Sequence, residues 1–222
     1  MRALLSVYDK SGLIELAEKL LRAGFELIST GNTMRVLTES GLQVRAVSDV
    51  TGSPEMLEGR VKTLHPAIHG GLLARRDLPE HMAELERYGI EPIDLVVSNL
   101  YPFAEVTRQA AVSLEDALEN IDIGGPTLIR AAAKNFPAVL IVVDPVDYGW
   151  IGDQLVAGGL EAVDQSERRK LAAKAFAHVA SYDSVIAQYL RPAKELPEQL
   201  SIAGTRVREL RYGENPHQAA AL

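Results

Sequence analysis

The stretch ALLSVYDKSGLIELAEKLLRAGFELIS (3–29) sets an apolar run, an amphipathic helical pattern and a second apolar run in succession. Its opening ALLSV (3–7) is typical of a buried strand, and the leucines and alanines that follow keep helical spacing up to Gly24. Ser11 is predicted to cap this helix, and FELIS (25–29) to form the second strand. A strand, a helix and a strand in this order indicate two parallel strands joined by a right-handed crossover.

The same alternation continues to about residue 190 and extends the parallel sheet. Further strands are predicted at 42–48, 94–100 and 138–144, and further helices at 33–40, 78–89, 113–121, 121–135 and within 145–190. Ser113 is expected to cap one helix, and Pro126 to occupy the first helical position of the next. The sequence therefore predicts an α/β domain in which a mostly parallel central sheet lies between two layers of helices, as in Rossmann-like folds.

The composition excludes several classes of protein. Of the 222 residues, 47% are hydrophobic, 24% charged and 5% aromatic, and no apolar run approaches the length of a membrane span. The absence of cysteine excludes disulfides and thiolate chemistry. A net charge of −7, from 30 acidic and 23 basic residues, argues against nucleic acid as a partner. Because the N-terminus is also unlike a secretory signal, the sequence predicts a cytoplasmic protein without membrane contact.

Three polar clusters follow predicted strands, at the end where parallel sheets bind ligands. They are SVYDKSG (6–12), STGNT (29–33) and SNLYPF (98–103). Backbone N–H groups and helix N-termini face this edge of a sheet and can bind phosphate. Each cluster also has an ordinary structural explanation; in STGNT, for example, Thr30 or Thr33 would cap a helix. Their convergence on one edge is what predicts a ligand crevice.

The stretch GRVKTLHPAIHGG (59–71) combines two cations, a threonine, two histidines and three glycines. His65 and His69 have the spacing of a helical metal pair, but Pro66 lies between them. Because neither the glutamate of an HExxH motif nor a cysteine accompanies them, no metal site is predicted. A solvated basic loop and an anion cradle both stay open from this stretch alone. The other clusters favour the cradle, since glycines allow close approach to a ligand and Thr63 adds a donor beside the cations.

The stretch IDIGGPTLIRAAAKN (121–135) adds two candidate acid–base groups. Asp122 precedes a double glycine at a helix start, and Lys134 lies eight residues beyond Pro126, about 12 Å along a straight helix. A turn aspartate and a lysine that stabilises the helix C-terminus are the ordinary alternatives. A lysine can act as an acid or base if burial or a nearby cation lowers its pKa, and an aspartate can orient it.

Together these stretches, in this order and spacing, resemble the N-terminal inosine monophosphate (IMP) cyclohydrolase domain of the PurH family of bifunctional purine-biosynthesis enzymes. The resemblance runs from about residue 2 to the end and implies the methylglyoxal-synthase-like α/β fold. Composition changes near Arg191, and LRYGENPHQ (210–218) resembles the opening of the family's second domain, the aminoimidazole carboxamide ribonucleotide (AICAR) transformylase. We therefore expect a cyclohydrolase domain over 1–195, and a linker with the truncated start of the second domain over 196–222.

The resemblance implies a reaction that closes the second purine ring. Formyl-AICAR (FAICAR) loses water to give IMP, the last step of de novo purine biosynthesis, without metal or organic cofactor. The implied catalytic set is Lys62, Tyr101, Asp122 and Lys134, with Lys134 as proton donor and acceptor and Asp122 orienting it or taking part in the transfer. The implied nucleotide-binding set is Tyr8, Asp9, Lys10, Thr30, Gly31, Asn32, Thr33, Arg60, Val61, Lys62, Thr63, Ser98, Asn99, Asp122 and Ile123. Arg211 and Tyr212 match nucleotide contacts of the transformylase domain, and without the rest of that domain no transformylase activity is expected.

Two positions depart from the family pattern, and two rival functions share its fold. Tyr8 stands where many relatives have serine, and Asn32 where many have glycine. A non-catalytic nucleotide-binding regulatory module would explain the anion cradle but not the combination of Lys62, Tyr101, Asp122 and Lys134. Methylglyoxal synthase itself is disfavoured by GRVKTLHP and LRYGENPHQ. The family's dimer is built mainly by the second domain, so a homodimer of this chain stays an open expectation.

Overall fold

The computed structural model describes residues 1–108, 112–192, 197–204, 207–211 and 220–221. A five-stranded sheet in the order β3-β2-β1-β4-β5 forms its centre, and each adjacent pair of strands is parallel. The strands are β1 (Arg2–Val7), β2 (Glu26–Ser29), β3 (Arg45–Ala46), β4 (Leu95–Asn99) and β5 (Leu140–Val142). This arrangement confirms the predicted α/β class and the parallel central sheet.

Ten α-helices and three short 3-10 helices surround the sheet in the described part of the chain. The α-helices are α1 (Leu13–Arg22), α2 (Gly31–Glu39), α3 (Val47–Thr51), α4 (Pro66–Leu73), α5 (Pro79–Arg87), α6 (Phe103–Thr107), α7 (Leu114–Glu119), α8 (Gly124–Lys134), α9 (Tyr148–Gly158) and α10 (Gln165–Leu190). The 3-10 helices are Leu57–Gly59, Pro145–Asp147 and Gly159–Ala162, and Glu209–Leu210 pairs antiparallel with Ala220–Ala221. None of the described helices is long and apolar enough to cross a bilayer.

The sheet is buried on both faces, which gives the domain three layers. Successive residues of a strand point to opposite faces. Leu4 and Val96 accordingly pack with α8 and α10, whereas Leu5 and Val97 pack with α1 and α9. All four of these side chains are fully buried. The two hydrophobic cores hold the sheet rigid and bring the carboxyl ends of its strands to one edge.

Several local predictions are corrected by the backbone. Gly12, with φ of 69°, caps α1 in place of Ser11, whose N–H instead donates to Asp9 Oδ1 at 2.9 Å. The predicted strand at 42–48 shrinks to two residues, because α3 begins directly at Val47. Helix α8 begins at Gly124, two residues before Pro126. The cap by Ser113 is confirmed, since its Oγ accepts from Asp116 N at 3.0 Å.

The histidine stretch contains a helix that periodicity did not reveal. Helix α4 begins at Pro66, a favourable first helical position, and His65 caps it by accepting from Ala67 N at 3.1 Å. His65 therefore has a structural role at the start of α4. The proposed domain boundary between 195 and 196, and Tyr212, lie outside the described residues.

Candidate functional site

The polar clusters after β1 and β4 meet at the carboxyl edge of the sheet and are joined by Asn99. The Oδ1 atom of Asn99 accepts from Tyr8 N at 2.7 Å and from Asp9 N at 2.9 Å, and its Nδ2 donates to Asp9 O at 3.0 Å. Asn99 is 8% exposed, so its side chain mainly fixes the turn after β1. The Asn99 amide is occupied by the turn after β1, and its contact with a nucleotide stays a prediction.

Lys10 and Thr33 also bond to the end of β1. The Lys10 ammonium donates to Val7 O at 3.2 Å and to Tyr8 O at 2.9 Å, and burial lowers its pKa, as does the nearby charge of Arg35. Thr33 Oγ1 donates to Val7 O at 2.9 Å and accepts from Val7 N at 3.1 Å. Ser98, in β4, is fully buried and its hydroxyl has no partner among the described residues. The side chains of Lys10 and Thr33 stabilise the end of β1, and Thr33 also ties it to α2.

The N-terminus of α2 carries the cluster STGNT, and its glycine admits a lysine from another segment. Thr30 is the N-cap residue, but its hydroxyl donates to Glu55 and not to the helix. Gly31 has φ of 54°, and a Cβ there would lie 3.1 Å from Lys62 Nζ. The side chain of Asn32 accepts from Arg35 Nη2 at 2.8 Å and faces along the helix. The start of this helix and the Lys62 ammonium thus share one small volume.

The loop that carries Lys62 is held in a tight conformation. Met56 and Val61 form an antiparallel bridge, with Met56 N donating to Val61 O at 3.1 Å. Gly59 has φ of 88°, and a Cβ there would lie 2.5 Å from Lys62 Cε, so glycine is required at this position. Arg60 extends outward to pair with Glu119. This geometry points Lys62, and not Arg60, at the start of α2.

Thr63 and Asp122 converge at the start of α8. Thr63 is 5% exposed, and a Cβ at Gly124 would lie 3.3 Å from its Oγ1 and 4.0 Å from Asp122 Oδ1. Asp122 Oδ1 accepts from Gly125 N at 2.8 Å, and the Asp122 N–H donates to the Tyr182 hydroxyl at 2.7 Å. The double glycine therefore lets a carboxylate and a hydroxyl approach the start of α8 closely, and Ile123 beside it is 59% exposed.

The environment of Asp122 suits proton transfer. Burial raises the pKa of this carboxyl above its ordinary value of 3.8, and the N–H groups of Gly125 and Gly124 offset part of the rise. A carboxyl whose pKa moves toward neutrality can both accept and donate a proton during turnover. The direction of this pKa shift fits the acid–base role predicted for Asp122.

Tyr8 and Tyr101, which follow β1 and β4, form an aromatic pair at the carboxyl edge of the sheet. Their ring centroids are 4.4 Å apart, the ring planes are tilted by 50°, and each residue is 45% exposed. Exposed aromatic rings in a crevice offer a surface on which a planar heterocycle can stack. Where many relatives have serine, this chain therefore has Tyr8, whose ring packs against Tyr101.

Lys134 is not brought together with the other three catalytic candidates. It is the last residue of α8, ten residues beyond Gly124, which is about 15 Å at 1.5 Å per residue. Asp122 lies at the opposite end of the same helix. The role of Lys134 as proton donor and acceptor therefore stays a prediction of the family resemblance, without support from its position within one chain.

Two groups of residues at this edge were missed by the sequence reasoning. Glu55 contacts Thr30 and Lys62 directly. Its position in PEMLEG, four residues before Gly59 and in the same loop as Lys62, gave only a weak signal in the sequence. Asp144, Lys174 and His178 line a cavity of about 1030 Å³ together with the loop after β1. Asp144 follows β5, Lys174 and His178 lie on α10, and no local motif marks them.

Replacing Asp122 with asparagine is expected to stabilise the fold at neutral pH. A raised pKa means that the ionised carboxyl is disfavoured in the folded state, so this penalty is present at pH 7 and disappears as the pH falls through the folded pKa toward 3.8. Asparagine keeps the acceptor for Gly125 without the charge. Thermal unfolding at pH 7 should give a melting temperature higher by about 2–4 °C. A gain that persists at pH 3.5 would contradict this explanation.

Comparisons with known proteins agree with this architecture. The family model described as MGS-like domain matches residues 12–127, and the one described as AICARFT/IMPCHase bienzyme matches residues 132–222. A solved structure titled "Crystal structure of ForH" superimposes with a TM-score of 0.78 at 39% identity, covering 85% of this chain and 95% of that chain.

Curated relatives match over the whole length of the chain. A bifunctional purine biosynthesis protein PurH from Chloroflexus aurantiacus is 61% identical over 222 residues, which is 100% of this chain and 43% of the relative. Proteins of the same name are 56% identical in Leuconostoc citreum (99% of this chain, 42% of the relative) and 50% identical in Dictyostelium discoideum (100% and 46%). The chain thus spans less than half the length of these relatives.

Proposed function

The chain belongs to the MGS-like domain family and matches the N-terminal part of PurH, and we therefore propose that it is an IMP cyclohydrolase, which closes the purine ring of FAICAR with loss of water. The observation that carries the proposal is the convergence of three segments at one edge of the sheet. Lys62 reaches the start of α2, and Thr63, the next residue, meets Asp122 at the start of α8. One nucleotide could therefore contact both helix starts.

The crevice supports one orientation of the nucleotide. Its phosphate would lie at the N-terminus of α2, where the N–H groups from Gly31 onward and the Lys62 ammonium supply positive potential. The heterocycle would lie against Tyr8 and Tyr101, and its reacting groups would face Asp122. Arg60 and Ile123 would border the entrance, since both are exposed.

The chemistry required is proton transfer around a dehydration. The carboxamide nitrogen attacks the formyl carbon, a C–N bond forms, and the formyl oxygen becomes the hydroxyl of a carbinolamine. Loss of that hydroxyl as water, with a proton removed from nitrogen, completes the aromatic ring. Asp122 would accept the nitrogen proton and return one to the leaving oxygen, and the Tyr101 hydroxyl would stabilise negative charge on that oxygen. Binding in one conformer supplies the remaining acceleration.

Lys134 offers a separate test of the inherited catalytic set. Because it lies at the far end of α8, we expect Lys134→Ala to leave the dissociation constant for IMP unchanged within about twofold, a change too small for a direct contact. Calorimetric titration with IMP measures this. A much weaker affinity would mean that Lys134 reaches the nucleotide. If Lys134→Ala keeps its affinity for IMP but loses turnover of FAICAR, Lys134 acts in the reaction without contacting the bound nucleotide.

The proposed activity is tested by supplying the purified chain with FAICAR and following the absorbance of the purine ring. We expect a rate well above the spontaneous rate, saturating with substrate and inhibited by IMP. A rate equal to the spontaneous one would reject the proposal for this chain. Formyl transfer to AICAR from a folate donor is expected to be absent, and its detection would show that the transformylase prediction is wrong.

A further inference from the structure

The start of α2 already holds an anion, and that anion is the side chain of Glu55. One carboxylate oxygen accepts from the Thr30 hydroxyl, and the other lies 3.2 Å from Lys62 Nζ. The carboxylate also accepts from the Gly31 N–H. Two of these three donors, the Gly31 N–H and the Lys62 ammonium, are the ones to which the proposed function assigns the nucleotide's phosphate.

The segment that delivers Glu55 has an unusual backbone. Leu57, Glu58 and Gly59 are consecutive residues with φ of 53°, 56° and 88°, in the left-handed region that only glycine adopts readily. Leu57 is 70% exposed, so burial of its side chain does not compensate for this conformation. Contacts such as those of Glu55 and the Met56–Val61 bridge are what hold the segment in place.

The contacts of Glu55 favour its charged form. Its pKa is lowered, first by the hydrogen bond from Thr30 and then by the Lys62 ammonium and the Gly31 N–H, against the opposing effect of burial. At neutral pH the carboxylate is therefore an anion bound at a helix N-terminus, as a phosphate would be. A phosphate and this carboxylate cannot use the same donors at the same time.

We propose that Glu55 is an internal occupant of the phosphate subsite, which a nucleotide's phosphate displaces on binding. This inference rests on the proposed function, because it takes the ligand to be a nucleoside monophosphate. Glu55 then makes the site selective for nucleotides that carry a phosphate over nucleosides that lack one. A doubly charged phosphate competes successfully for Thr30, Gly31 and Lys62, whereas a nucleoside without phosphate leaves Glu55 in place and gains nothing from these donors.

The test compares Glu55→Gln with Glu58→Gln by calorimetric titration of IMP, inosine and inorganic phosphate. Both changes remove one negative charge from the same loop, but Glu58 is exposed and makes no contact at the start of α2. We expect Glu55→Gln to bind IMP and phosphate about tenfold more tightly than the wild type, which corresponds to about 1.4 kcal/mol. Inosine affinity should not change, and Glu58→Gln should match the wild type.

Three outcomes are separable. Equal or weaker binding of IMP and phosphate by Glu55→Gln would overturn the inference, because it would mean that Glu55 positions Lys62 and does not compete. Tighter phosphate binding by Glu55→Gln without IMP binding by any variant would keep the anion subsite and reject the proposed function. Absence of binding for all three ligands would reject both. Glu55→Ala, which removes the carboxylate without introducing an amide, should bind IMP and phosphate as Glu55→Gln does. Agreement of the two variants would show that the glutamine amide itself does not cause the tighter binding.

Discussion

Asp122→Asn is expected to lower the rate of ring closure by about 10²- to 10⁴-fold, the usual contribution of a positioned acid–base group. Its carboxyl combines a pKa raised by burial with a fixed orientation, since Oδ1 accepts from Gly125 N at 2.8 Å. Asparagine can keep that hydrogen bond and the shape of the residue but cannot take up a proton. The loss should therefore appear in kcat, with IMP affinity kept within about threefold. The measurement is the absorbance assay with FAICAR at saturation.

The same variant separates catalysis from folding. Asp122→Asn is also expected to raise the melting temperature at neutral pH. A lower kcat with a raised melting temperature would mean that Asp122 acts in the reaction itself. A lower kcat with a lowered melting temperature would indicate a damaged start of α8. If kcat falls by less than threefold, Asp122 does not transfer the proton, and the acid–base assignment must pass to another group at this edge.

Lys62→Met is expected to lower kcat/KM by about 10²- to 10³-fold, as for removal of one positioned electrostatic donor. The ammonium lies 3.1 Å from the point where a Cβ of Gly31 would be, and 3.2 Å from Glu55 Oε2. Methionine fills a similar volume without charge. It would leave Glu55 at the start of α2 without its cation, and it would remove a phosphate contact.

Lys170→Met provides the matched control for Lys62→Met. Lys170 is an exposed residue of α10 that pairs with Glu167 on its own helix, so the change in net charge is the same but the crevice is untouched. Its kcat/KM should equal that of the wild type. Equal kinetics for Lys62→Met and Lys170→Met would remove Lys62 from the site and leave the two helix starts without a shared ligand.

The central strands and the position of the crevice could be predicted because their signals are local. The runs that became β1, β2, β4 and β5 are dense in Leu, Ile and Val, as parallel strands buried on both faces require. Once the strand order is parallel, the residues after each strand must share an edge. The edge strand β3, by contrast, is half-buried and kept only two residues of its predicted length.

The helix cap at Gly12, the contacts of Glu55 and the position of Lys134 depended on tertiary geometry that no short motif encodes. Gly12 displaced Ser11 as a cap because the chain turns there with φ of 69°. Glu55 reaches the start of α2 from a loop in which the three successive residues Leu57, Glu58 and Gly59 have positive φ. The distance of Lys134 from Asp122 follows from the length of α8, but its separation from the crevice became clear only when the direction of that helix relative to the sheet was known.

The central claim, that one nucleotide joins the start of α2 to the start of α8, is tested most directly by a crystal structure of the chain with IMP bound. We predict phosphate oxygens at hydrogen-bond distance, about 3 Å, from Gly31 N and Lys62 Nζ, with the purine against Tyr101 and the six-membered ring facing Asp122. Glu55 should have left the start of α2. A phosphate bound instead beside Lys174 and His178, with Glu55 still on Thr30, would contradict the account.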